Sequence, residues 1–129
     1  MPLKPIKIKS RIESLIQDIK QADYAFDTFD AYYLALRLND LYKNNKKVKK
    51  YLLELEKVIM KEPESAYLYA SNILNRAWPE AEPYIMKNPP QAFSYALNIL
   101  KRPWPEAEPY IKKDRDNWMM YQYHVLNKQ

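Results

Sequence analysis

Two pairs of carboxylates, Glu80 with Glu82 and Glu106 with Glu108, are the first residues in this 129-residue chain whose spacing invites chemistry. Paired acids do proton-transfer or metal work when they converge on one point. Two residues apart on a helix they diverge, and neither pair has a histidine or a third carboxylate beside it. Acid in the first turn of a short helix, where the macrodipole favours negative charge, is the reading this spacing supports. The single histidine, His124, sits among Tyr121, Val125 and Leu126 and reads as an ordinary helix residue. There is no Cys, so there is no thiol nucleophile, thiolate metal site or disulfide. There is no Gly either, which excludes a P-loop, a dinucleotide-binding fingerprint and a G-x-S-x-G nucleophile elbow. The chain reads as non-enzymatic, with no cofactor and no metal.

Binding chemistry is what the remaining residues offer. On a helix spanning 46–61, Val48, Tyr51, Leu52, Leu55 and Ile59 form one apolar face. Lys46, Lys50, Lys57 and Lys61 fall together on the other side, at about 160–220° from Val48. Such a stripe suits phosphates, with an affinity that falls as salt rises. The net charge of +5 resides wholly in the first half. Residues 1–61 carry 13 basic and 8 acidic groups, and 62–129 carry 8 of each. The aromatic side offers Tyr67, Tyr69 and Tyr95 flanking an apolar stripe, their hydroxyls expected to reach water. Trp118, Met119 and Met120 form a second apolar run. Trp78 and Trp104 could serve as stacking platforms, but their fixed place before a proline favours a structural wedge. Arg76 and Arg102, two residues earlier, are expected to lie on those indoles or to pair with the neighbouring glutamates.

What positions all of these is an internal repeat. Residues 62–87 read EPESAYLYASNILNRAWPEAEPYIMK, and residues 88–113 read NPPQAFSYALNILKRPWPEAEPYIKK. They align without a gap at a period of 26. A third copy opens at Asp114 and covers one helix. A worn copy precedes them, with Ala31 to Ala35 in its first helix and Leu52 to Met60 in its second. A period in this range marks supersecondary units stacked on one another. Each unit reads as two helices. Glu62-Pro63 and Asn88-Pro89 provide a polar cap followed by proline at the first helical position. Ala66, Ala70, Ile73, Leu74 and Ala77 make the stripe that faces the neighbours, and Leu74 and Leu100 are expected in the core. The second helix is short, and Pro83 and Pro109 predict a bent or 3₁₀-like start. Without Gly, the connections are expected to close through proline and polar caps in place of left-handed residues. Ser10 to Glu13 is a capping-box pattern that starts a helix over 10–22.

No stretch alternates as a strand. The expected fold is therefore all-α: a small right-handed α-solenoid-like stack of helical hairpins in one domain. Residues 1–61 are its N-terminal cap and worn copy, 62–87 and 88–113 the clear copies, and 114–129 a half copy.

The pattern A-Y-x-Y-A-x-x-x-L-x-x-x-W-P-E-A-E-P-Y-I resembles short helical repeats found in uncharacterised proteins of bacteriophages and related mobile elements. The likeness covers about residues 62–128. That family's usual turn reads Lys-Gly-Arg before Trp-Pro-Glu-Ala-Glu, whereas this chain has Arg76-Ala77 and Arg102-Pro103. The resemblance implies a helical architecture and a viral setting. It points to an accessory protein that binds and modulates a host protein, a defence-system component included. Nucleic acid, held by the lysine stripe, is the alternative partner. A homodimer through the C-terminal half copy is a further expectation. The start of the chain shows no signal peptide and no segment is apolar enough for a membrane, so a cytoplasmic setting is expected.

Overall fold

The computed structural model describes residues 28–41 and 45–127; the helix expected over 10–22 lies outside the described residues. Among the described residues the fold is all-helical. It opens with α1 (Thr28–Leu41) and α2 (Lys46–Ile59). Asn45 caps α2, its side-chain oxygen accepting from the Val48 amide at 3.2 Å. Val48, Leu52, Leu55 and Ile59 are buried along one side of α2, as the helical period requires.

The clear copies follow. In the first, α3 (Pro63–Tyr69) runs into a wider π-helical turn (Ala70–Leu74), and α4 (Glu82–Ile85) is a single turn. In the second, α5 (Pro89–Tyr95) has the same wide ending (Ala96–Leu100). A 3₁₀ turn (Pro105–Ala107) then leads into α6 (Glu108–Ile111). The third copy supplies α7 (Arg115–Tyr121) and its wide turn (Gln122–Leu126). Proline stands at the N-terminal edge of α3, α4, α5 and α6. There its missing N–H has no partner to lose. The start of α3 is capped by Glu62, which accepts from the Ser65 amide at 2.7 Å. Asp114 caps α7 by accepting from the amides of Asp116 and Asn117.

Neighbouring copies pack long helix on long helix: α1 against α3, α3 against α5, and α5 against α7. Alanine makes this close approach feasible. Ala31 and Ala35 in α1, Ala66 and Ala70 in the first clear copy, and Ala92 and Ala96 in the second are all fully buried. Each short helix sits between two long ones, α4 touching α3 and α5, and α6 touching α5 and α7. Ile85 and Ile111 are its fully buried anchors. Trp78 and Trp104 are buried at 2% exposure, so they are interior wedges and not stacking platforms.

Two expectations need correction. Leu74 and Leu100 are only partly buried. The wide turn places more residues in each revolution than the 3.6 of an α-helix, so positions after Ala70 and Ala96 rotate off the buried stripe. The connections also close through left-handed residues despite the absence of Gly. Asn75 has φ 54° and ψ 38°, and Lys101 has φ 57° and ψ 36°. The amide of Lys101 reaches back to the Ala96 carbonyl at 2.8 Å, five residues away. The left-handed step turns the chain off the helix end within three residues of the indole it must bury.

Candidate functional site

The most repeated chemistry in the molecule is a ladder of hydrogen bonds joining one copy to the next. The Tyr95 hydroxyl donates to the Glu82 carboxylate at 2.6 Å and accepts from the Trp78 backbone N–H at 2.7 Å. One copy later, the Tyr121 hydroxyl donates to Glu108 at 2.8 Å and accepts from the Trp104 N–H at 2.8 Å. One copy earlier, Tyr69 donates to Glu56 at 2.6 Å. The rings take part as well. Tyr69 packs on Trp78 with centroids 4.9 Å apart, and Tyr95 packs on Trp104 at 5.0 Å. A turn without helical hydrogen bonds would strand the indole residue's amide in the interior, and the phenol of the next copy satisfies it.

Electrostatics follow from that burial. Desolvation, reinforced by the hydrogen bond to Glu56, raises the Tyr69 phenol far above its ordinary range. Desolvation and the Glu82 carboxylate do the same to Tyr95. Tyr121 is pushed up to about 12, chiefly by burial. Burial also raises the Glu56 carboxyl, against the opposing pull of the Tyr69 hydrogen bond and the positive charge of Arg76.

This ladder revises several sequence-based assignments. Tyr69 and Tyr95 are interior residues whose hydroxyls are taken, so they cannot act as surface anchors. Tyr67 is half-buried and accepts at its hydroxyl from the Asn98 side chain at 2.9 Å. The same contact joins Tyr32 to Asn72 at 3.0 Å in the preceding copy. In the following copy the two positions hold Phe93 and His124, and a ring contact at 6.1 Å replaces the hydrogen bond. Glu82 and Glu108 serve as acceptors for the phenols, while Glu80 and Glu106 point into solvent, so neither pair converges. Arg76 and Arg102 turn back on their own connections, donating to the carbonyls of Ala77 at 2.8 Å and Pro103 at 2.9 Å. The spacing that betrays the ladder is legible in the sequence: a tyrosine follows a glutamate by 13 residues three times over.

The remaining candidates are at the surface. Lys46, Lys50, Lys57 and Lys61 are all exposed on or just beyond α2. Met119 is 56% exposed, Met120 46% and Tyr123 66%, side by side on α7 and its wide turn. Trp118 is half-buried, stacked on Tyr121 at 5.5 Å with the Lys112 ammonium 4.9 Å over its ring. It thus covers Tyr121 much as Trp78 covers Tyr69 and Trp104 covers Tyr95. A cleft of about 190 Å³ that the sequence did not announce lies between the ends of α3 and α5.

Among the described residues no three His, Cys, Asp or Glu side chains group closely enough to hold a metal ion. No described helix is long and apolar enough to cross a membrane. No protein-family model matches the chain, and neither a curated protein nor a solved structure is similar to it.

Proposed function

We propose that this chain is a non-catalytic protein-binding module, built as a right-handed solenoid of helical hairpins. The observation that carries the reading is the apolar face of α7. Tyr123 stands four residues after Met119 and three after Met120, where helix neighbours meet, and each of the three is about half or more exposed. Large apolar side chains exposed close together are what partner surfaces present. The ladder supports the same reading from the other side. The recurring Tyr, Trp and Glu groups are engaged in holding copies together, which leaves the outward positions free to differ between copies. By resemblance of the W-P-E-A-E turn we place the module among accessory proteins of phages and mobile elements, acting in the host cytoplasm on a host protein.

Affinity capture from host lysate tests this reading. The parent protein should retain a discrete partner, and Met119→Glu with Tyr123→Glu should release it while the helical spectrum is unchanged. Capture that is indifferent to the double substitution defeats the assignment of that face. A second copy of the chain is the competing occupant, and sedimentation at rising concentration separates the two.

A nucleic-acid reading has one observation in its favour, the exposure of Lys46, Lys50, Lys57 and Lys61. It predicts salt-sensitive binding of single- or double-stranded oligonucleotides, abolished when all four become Glu.

A further inference from the structure

We propose that the cleft between the ends of α3 and α5 grips an extended, acidic segment of a protein partner. This deepens the protein-binding reading, on which it rests, by naming a second surface and the chemistry of what it holds. The cleft is lined by the apolar Ala70 and Ile99 and by the polar Asn75, Arg76, Asn98 and Lys101.

Three features point to that occupant. The first is charge. Arg76 and Lys101 line the cleft from consecutive copies. Both are exposed. The Arg76 guanidinium, with five donors, gives one to its neighbour's carbonyl. The acid it acts on electrostatically is Glu56, whose carboxylate already accepts from Tyr69.

The second is backbone strain. Asn75 and Lys101 occupy the same left-handed place in successive copies. Asparagine tolerates it, whereas an ordinary side chain is disfavoured there. A lysine held in a disfavoured conformation at the rim of a cleft is a residue with a use for its charge.

The third is the mixture of donors and acceptors. The Asn98 amide nitrogen gives one of its two N–H groups to Tyr67, and its carbonyl oxygen is an acceptor beside the cations. A phosphodiester has acceptors only. A peptide has backbone N–H groups to meet that oxygen and carboxylates to meet the cations. The lining therefore favours a polypeptide over nucleic acid.

The repeat also fixes a spacing. Packed helices lie about 8–10 Å apart, close to the rise of three residues in a polyproline-type extended peptide, whose side chains at i and i+3 share a face. Acidic residues at every third position match that interval. Cations near helix C-termini also offset the helix dipole. That role alone predicts no peptide binding, which makes the two separable.

The test is fluorescence anisotropy on the full chain with a labelled peptide of Glu-Ser-Gly repeats. A Gln-Ser-Gly peptide and a single-stranded oligonucleotide serve as comparators. The cleft variant carries Arg76→Gln and Lys101→Asn. The control carries Lys46→Gln and Lys50→Gln, an equal loss of charge on α2. Lys101→Asn relieves strain, so the cleft variant should melt no lower than the control. We expect the acidic peptide to bind the parent and the control alike. The cleft variant should weaken it by about fivefold, the sum of two exposed ion pairs. Equal weakening in both variants, no preference for Glu over Gln, or an oligonucleotide that depends on the cleft more than the peptide does would each overturn the proposal. A partner captured through α7 that binds the cleft variant as tightly as the parent also overturns it, and leaves the protein-binding reading standing.

Discussion

The joint at Tyr69 and the joints at Tyr95 and Tyr121 solve one problem in two ways. In all three a phenol of one copy donates to a glutamate 13 residues earlier. At Tyr95 and Tyr121 the hydroxyl also accepts from the backbone N–H of a tryptophan 17 residues earlier. At Tyr69 the residue in that place is Leu52, inside α2, where the helix supplies its own carbonyl partners. The worn copy thus keeps the Tyr–Glu bond and replaces the Trp-Pro turn with a longer helix. The difference teaches which half of the joint is the common fastener. The carboxylate contact is shared by both designs. The amide contact is present only where an irregular turn leaves a buried donor to be satisfied.

Breaking the indole wedge should have the largest effect. Trp104→Ala removes a side chain buried at 2% exposure beneath Tyr95, and urea melts should show a loss of about 3–5 kcal/mol. Trp118→Ala, at a half-buried indole, should cost less than half of that. Equal losses would mean that Trp104 is not the interior wedge described here.

The comparison sharpens with Tyr→Phe changes. Tyr95→Phe strands both the Trp78 amide and the Glu82 carboxylate and should cost about 1–3 kcal/mol. Tyr69→Phe strands no backbone donor and should cost less. The phenols also set the alkaline limb. Below pH 10 they are protonated in both states. Above pH 10 the unfolded chain ionises first, because burial raises the folded phenols. Stability must therefore fall as pH rises through 10, and Tyr95→Phe should flatten that fall. An alkaline melt with an unchanged slope would contradict the buried position of Tyr95.

The smallest effect concerns the left-handed residues. Lys101→Asn should raise stability by about 0.5–1 kcal/mol, and Asn75→Lys should lower it by a similar amount. Opposite signs at equivalent places test the strain at Lys101 directly by thermal melting.

Periodicity carried much of this architecture. The 26-residue register places Ala66 and Ala92 at tight helix contacts and Trp78 and Trp104 inside, because burial follows side-chain type and spacing. The buried face of α2 was readable from Val48, Leu52, Leu55 and Ile59 for the same reason. Three things were not readable. The wide turns arise from tertiary fit and leave no propensity signal, so Leu74 and Leu100 lie nearer the surface than the 3.6 period implies. The left-handed Lys101 defies the usual Gly signature. The cleft is assembled from residues of two copies, and only packing brings Asn75 and Arg76 to Asn98 and Lys101.

Ser65 is fully buried, and its hydroxyl is the one buried side-chain polar atom without a partner among the described residues. Gln91 and Asn117, its counterparts, are half-exposed.

Trp118 has a bearing on how such a chain can grow. In α3 and α5 the corresponding places are Ala66 and Ala92, small enough for the next long helix to nestle against. An indole there, lying over Tyr121, fills the berth in advance. Duplicated blocks can be spliced between α3 and α6 with matching edges on both sides, but a block grafted beyond α7 meets a seat already occupied. Trp118→Ala would clear that place for a further long helix, as Ala66 and Ala92 do for theirs.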